Sequence, residues 1–123
     1  HVEIGPNATI RRAALDNTVI GDGTKIGAFV NIGHNCIIGK NCLIVCQGVT
    51  GGSSTIGDNV FYGINALLLN GADIGSNVTL GMGAVVVKSV PDDTVVIGNP
   101  AQPMDQFKKW SQVKKQLLAT PKE

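Results

Sequence analysis

Aromatic side chains are scarce in this chain of 123 residues: one Trp, one Tyr and three Phe make up 4% of it. Charge is scarce as well, at 15% of residues, and the formal net charge is only +1. A balance so close to neutral makes no case for nucleic acid as a partner. No apolar run approaches the roughly 20 residues of a membrane helix, so neither a membrane span nor a signal peptide is expected. The three cysteines are an odd number and supply no disulfide framework. They also lack His or Cys neighbours at ligand spacing, so no metal site is expected. Free thiols fit reduced, cytoplasmic conditions. Length alone predicts one small domain.

What the chain has in abundance is a period. From Ile20 to Val86 an aliphatic or near-aliphatic residue returns at every sixth position, as in Ile20, Ile26, Ile32, Ile38 and Ile44, and four places after each stands a small one, such as Thr24, Val30, Cys36, Cys42 and Gly48. A six-residue period drifts off any helical stripe, and the Gly, Asn and β-branched content opposes helix. One bulky and one small inward residue per six fit the narrow interior of a parallel β-helix. A higher period of eighteen joins Ile20-Gly21-Asp22, Ile38-Gly39-Lys40, Ile56-Gly57-Asp58 and Ile74-Gly75-Ser76, so three hexads make one triangular coil and about five coils are expected. Ile4-Gly5-Pro6-Asn7 reads as the same corner one coil earlier; only sixteen residues separate it from Ile20, which predicts a first coil two residues short. Cys36 and Cys42 fall on inward positions and read as core thiols.

Coils stack at roughly 4.8 Å, so residues eighteen apart become neighbours and the corners form three columns. The first, Asp22, Lys40, Asp58 and Ser76, is a solvated edge, with Asn41, Asn59 and Asn77 beside it as a turn-stabilising ladder. The second, Ala28, Cys46, Ile64 and Met82, adjoins Val49, Leu67 and Val85; this apolar strip is expected to pack on another subunit. The third reads His34, Gly52, Asn70 and Lys88, with Asp16 below His34 if the short coil precedes it. His34 is the one histidine besides His1, and imidazole as a class suits proton transfer at neutral pH. Asp16 could hold its tautomer, and Gly52 could offer an unobstructed N–H to a developing oxyanion. A surface histidine without function is the plainer alternative.

The hexads resemble those of the bacterial hexapeptide-repeat acyltransferases. That resemblance implies an all-β, left-handed parallel β-helix over 1–99, followed by a linker and short C-terminal capping α-helix over 100–123. Within the superfamily, Thr9–Gly21, Val30–Asn35 and Gly51–Asp58 are similar to the acylglucosamine N-acyltransferases of lipid A synthesis. In those enzymes the histidine of the matching segment is a general base that deprotonates a sugar amine as it attacks an acyl thioester, and a glycine one coil on supplies the oxyanion N–H. Carried over, these are His34 and Gly52. Two family positions differ, with Arg11 in place of an Asp and Gly71 in place of a second histidine; the family enzyme carries a uridine-binding N-terminal domain, whereas the sequence here starts inside the hexads. From Leu80 to Ala101 the chain resembles the acetyl-CoA-dependent sugar acetyltransferases, where this loop lines the pantetheine tunnel between subunits. Asn35, Asn70, Met82, Lys88 and Gly83 complete the expected donor- and substrate-binding set.

Pro100 and Pro103 end the hexads, and Asp105 is the expected N-cap of a helix whose Phe107, Trp110, Val113 and Leu117 share one face. That face is expected to cap the open coil. The last nineteen residues hold five basic and two acidic groups, against five and seven in the rest. Lys108, Lys109, Lys114 and Lys115 form either a solvated face or a surface for an acidic acyl carrier protein or for CoA phosphates. Family resemblance implies a homotrimer with sites between the prisms. The leading reading is acyl transfer from a thioester, on a carrier protein or CoA and with no permanently bound cofactor, to the amine of a nucleotide-linked amino sugar. Acetyl-CoA-dependent sugar acetylation and a non-catalytic binding solenoid are the alternatives.

Overall fold

Strands only two or three residues long alternate with left-handed corners along most of this chain, and they pair across coils rather than along them. The computed structural model describes residues 1–119 and 121. One sheet stacks β1 (Glu3–Ile4), β4 (Lys25–Ile26), β7 (Leu43–Ile44), β10 (Phe61–Tyr62), β13 (Thr79–Leu80) and β15 (Val95–Ile97), and ends in β16 (Gln102–Pro103). A second stacks β2 (Thr9–Ile10), β5 (Asn31–Ile32), β8 (Val49–Thr50), β11 (Leu67–Leu68) and β14 (Val85–Val86). The third stacks β3 (Val19–Ile20), β6 (Ile37–Ile38), β9 (Thr55–Ile56) and β12 (Asp73–Ile74). Pairing is parallel throughout except between β15 and β16, which run antiparallel. This is the expected three-sided parallel β-helix of about five coils, followed by the single helix α1 (Met104–Leu118).

Register through the middle follows the period of eighteen, as in Ile26 on Ile44 and Ile38 on Ile56. The ends depart from it. Ile4 lies on Ile26 and Ile10 on Ile32, a spacing of twenty-two, whereas Ile20 lies on Ile38 at eighteen. The first coil is therefore not two residues short; it carries four extra residues between Ile10 and Ile20. The short coil is the last, where Ile74 meets Val90 and Leu80 meets Val96 at a spacing of sixteen. Ile-Gly pairs begin corners on all three faces, so the corner sequence at Ile4 does not say which face it belongs to. Val90 accordingly takes a bulky inward place rather than the small one its position in the hexads implies.

The interior is built from the two inward columns. Ile26, Ile32, Ile38, Ile44 and Ile56 are buried against Val30, Cys36, Cys42 and Val60, which bears out the core reading of both thiols. Tyr62, the largest bulky residue, is matched by Gly48, where a Cβ would stand 3.1 Å from the ring. Its hydroxyl donates to the Val49 carbonyl at 2.5 Å, and burial pushes the phenol well above its ordinary range. Burial likewise raises the Cys42 thiol. Corners adopt φ near +60° at Asn35, Asn41, Asn59 and Asn77 among others, the left-handed region Asn tolerates best. The asparagine ladder joins Asn59 to Asn77 at 3.3 Å and continues to Asp93 at 3.1 Å.

Thr24 is fully buried; its Oγ1 donates to the Gly39 carbonyl at 2.8 Å and accepts from the Cys42 N–H at 3.0 Å. Thr24→Val keeps the shape but strands both backbone groups, and is expected to cost about 1–3 kcal/mol. The urea midpoint should fall at constant m-value; an unmoved midpoint would show that these bonds contribute nothing.

Helix α1 is capped by Pro103, with no side-chain cap bond; Asp105 lies instead in the first turn, where its carboxylate complements the dipole, and Lys115 lies in the last. Met104, Phe107 and Ser111 are the half-buried positions, and Phe107 packs beside Gly98. Trp110, Val113 and Leu117 stay 56%, 42% and 69% exposed, so the helix covers less of the last coil than its apolar face leads one to expect. Segment 98–103 lies there instead, with the Ala101 N–H on the Val85 carbonyl. Residues 120, 122 and 123 of the expected tail lie outside those described. Among the described residues no helix is long and apolar enough to cross a membrane.

Candidate active site

The corner between the second and third sheets brings the third column together. His34 is exposed, two residues past the buried Ile32, and its ring lies over Gly52 of the next coil. A Cβ on Gly52 would fall on the imidazole Nε2 and within 2.8 Å of both Cδ2 and Cε1, so only glycine leaves room for the ring. Nδ1 stands 3.1 Å from Oδ1 of Asn35. An Nδ1–H donating there leaves Nε2 as the basic nitrogen, beside Gly52.

Asn35 does more than hold the ring. Its Nδ2 donates to the Leu15 carbonyl at 2.6 Å, its N–H donates to Thr18 Oγ1 at 3.0 Å, and Thr18 Oγ1 donates to the Arg11 carbonyl at 2.8 Å. The four extra residues thus form a loop laced to the residue that orients the imidazole. Asp16 is exposed at the tip of this loop with φ 63°, and no hydrogen bond joins it to His34. Asn35 occupies the orienting place expected of Asp16, because a first coil four residues longer than the repeat, rather than two shorter, puts Arg12, not Asp16, one coil below His34.

Gly52 differs from expectation in one respect. Its N–H is not bare but donates to Oδ1 of Asn70 at 3.0 Å. The first corner uses the same device: the N–H groups of Lys40, Asp58 and Ser76 donate to Asp58, Ser76 and Asp92 one coil on, at 2.8, 3.0 and 2.8 Å. A short polar side chain at this rank captures the amide beneath it. Having none, Gly52 offers nothing to the amide of His34.

The third column therefore unites His34, Gly52, Asn35 and Asn70. Lys88 is exposed two coils beyond Gly52, at the corner the last coil shortens. Met82, 75% exposed, and Gly83, with φ 69°, lie on the second corner, across the second sheet from His34. On that side Ile64 and Leu67 are 42% and 41% exposed and Cys46 is exposed, so the apolar strip lies open in the single chain. Two clefts share His34 as a wall. One, of about 430 Å³, is lined by Arg11, Arg12, Ala13 and Ala14; the other, of about 230 Å³, by Gly51, Gly52, Asn70, Thr50 and their neighbours. The period of six does not single out Arg12 or Thr18; the spacing of twenty-two places Arg12, and the return to eighteen places Thr18 beside Asn35.

A three-sided parallel β-helix built from hexads is the architecture of a hexapeptide-repeat protein. A profile of the bacterial transferase hexapeptide (six repeats) matches residues 17–51, and one of the hexapeptide repeat of succinyl-transferase matches 54–88. Together they span more than half of the chain, which belongs to the hexapeptide-repeat transferase family. A 2,3,4,5-tetrahydropyridine-2,6-dicarboxylate N-acetyltransferase of Staphylococcus aureus is 38% identical over 64 residues, 52% of this chain and 27% of the relative. The UDP-N-acetylglucosamine acyltransferase of Arabidopsis superposes with a TM-score of 0.82 at 25% identity, covering 100% of this chain and 49% of that one. A perosamine N-acetyltransferase variant from Caulobacter crescentus, solved with CoA and GDP-perosamine, gives a TM-score of 0.63 at 22% identity over 82% of this chain and 56% of that one, a likeness of fold alone. The chain spans about half the length of these solved relatives, and its matched stretch about a quarter of the curated one.

Proposed function

We propose that this solenoid transfers an acyl group from a thioester to the amine of a nucleotide-linked amino sugar, with His34 as general base. The observation that carries the proposal is the imidazole held by Asn35 with Nε2 over Gly52. The amine nitrogen attacks the thioester carbonyl as Nε2 takes its proton; the oxyanion displaces Oδ1 of Asn70 from the Gly52 N–H; the carbon–sulfur bond then breaks and the imidazolium returns the proton to the departing thiolate. Positioning supplies much of the remainder, because the thioester is already activated.

The exposed strip at Ile64, Leu67 and Met82 supports a homotrimer, in which Met82 and Gly83 of one prism would face the His34 corner of its neighbour. Lys88 then stands toward the donor, and Lys108, Lys109, Lys114 and Lys115, all exposed on α1, are placed to meet an acidic carrier protein. A second reading makes the donor acetyl-CoA. It is favoured by the Staphylococcus aureus relative, named as an N-acetyltransferase. Free thiol should appear only when thioester and amino sugar are present together, and calorimetry should show heat with CoA or with acyl carrier protein but not both. No thiol from either donor with any nucleotide-linked amino sugar would leave the non-catalytic solenoid as the better account.

A further inference from the structure

We infer that Arg11 and Arg12 are the seat of a phosphoryl group of the acceptor, a contact that rests on the acyl-transfer reading above. Both guanidinium-bearing residues are exposed, both line the larger cleft, and His34 is that cleft's inner wall. They sit where the first coil departs from the repeat, and the departure is built rather than loose. Thr18 bonds the Arg11 carbonyl, the Arg11 N–H donates to the Ile32 carbonyl at 3.0 Å, and Asn35 ties the loop to the histidine corner.

No carboxylate engages either guanidinium among the described residues. Asp16, in the same loop, is exposed and pairs with neither. Two adjacent cations without a counter-charge repel each other, and an anion between them relieves that repulsion. Guanidinium forks match phosphate oxygens two at a time, which an ammonium does not.

The order along the column selects the acceptor. The thioester carbonyl belongs at the Gly52 N–H, and the amine that yields its proton to Nε2 lies beside it; Arg11 lines that cleft as well as the larger one, so an acceptor held at His34 runs toward the arginines. In a nucleotide-linked sugar the phosphoryl group hangs from the anomeric carbon, and a ring amine at His34 leaves it one pyranose away, toward Arg11 and Arg12. The phosphates of CoA share this chemistry, and the test separates the two sources.

Inorganic pyrophosphate, UDP-glucosamine and acetyl-CoA would each be titrated calorimetrically into the full chain, into Arg11→Gln with Arg12→Gln, and into Arg12→Lys. Pyrophosphate and UDP-glucosamine should bind the double variant about 10- to 100-fold more weakly, with acetyl-CoA unchanged. Arg12→Lys should fall between, and added salt should weaken binding to the wild type more than to the double variant. A wild-type chain that ignores pyrophosphate, or a double variant that binds it undiminished, overturns the assignment. So does loss confined to acetyl-CoA, which would move the seat to the donor. Measuring both pyrophosphate binding and thiol release in His34→Ala separates the two claims: retained turnover there would sink the general base while leaving the anion seat to stand on its own binding data.

Discussion

Replacing His34 with alanine is expected to slow acyl transfer by about two to four orders of magnitude while the coils remain intact. The ring is exposed and its polar contact is Asn35, so its removal leaves the inward columns untouched and should change stability by no more than about 0.5 kcal/mol. What is lost is the basic nitrogen above Gly52. A residual rate should persist, because the Gly52 N–H and the bound geometry of donor and acceptor survive. Single-turnover release of thiol, followed together with a thermal melt, measures both quantities. A variant that turns over like the wild type would remove the imidazole from the mechanism and favour a binding role for this corner.

Gly52→Ala should be nearly as damaging, for a steric reason. The new methyl group would collide with Nε2, and the backbone cannot retreat: the Gly71 N–H donates to the Gly52 carbonyl at 3.0 Å, and the Ser53 N–H to the His34 carbonyl at 2.8 Å. The imidazole must therefore swing out, and a displacement of about 1 Å in a reacting group costs on the order of 100-fold. Residue 52 keeps its N–H in this variant, so the double variant with His34→Ala reports whether the methyl group does anything besides displacing the ring. A double variant as slow as His34→Ala alone would mean that residue 52 acts only by making room. A single variant with near wild-type turnover would show that the imidazole need not rest on this glycine.

The period of six was sufficient for the core because inward residues obey a strict size rule, down to Gly48 opposite Tyr62. It was insufficient where coils change length. Ile4-Gly5 and Ile20-Gly21 look alike because every face starts its corner with the same pair, so neither the four extra residues after Ile10 nor the two missing before Val90 could be assigned. That error placed Asp16 under His34 and hid Arg12. Stacking did identify His34 and Gly52 as neighbours, since both lie in the regular stretch. The bond from Gly52 to Asn70 escaped notice because a column of letters shows rank but not which amide a side chain captures. In α1, spacing located the face of Phe107, Trp110, Val113 and Leu117, of which Phe107 alone is half-buried, beside Gly98, while the other three stay exposed.

The antiparallel turn of β16 has a consequence for how copies of this molecule can meet. At that end Pro103 lacks an amide hydrogen and the strand runs against the winding, so no further coil can be templated there. Fibrous polymerisation needs two adhesive ends, and the β16 end is not one of them.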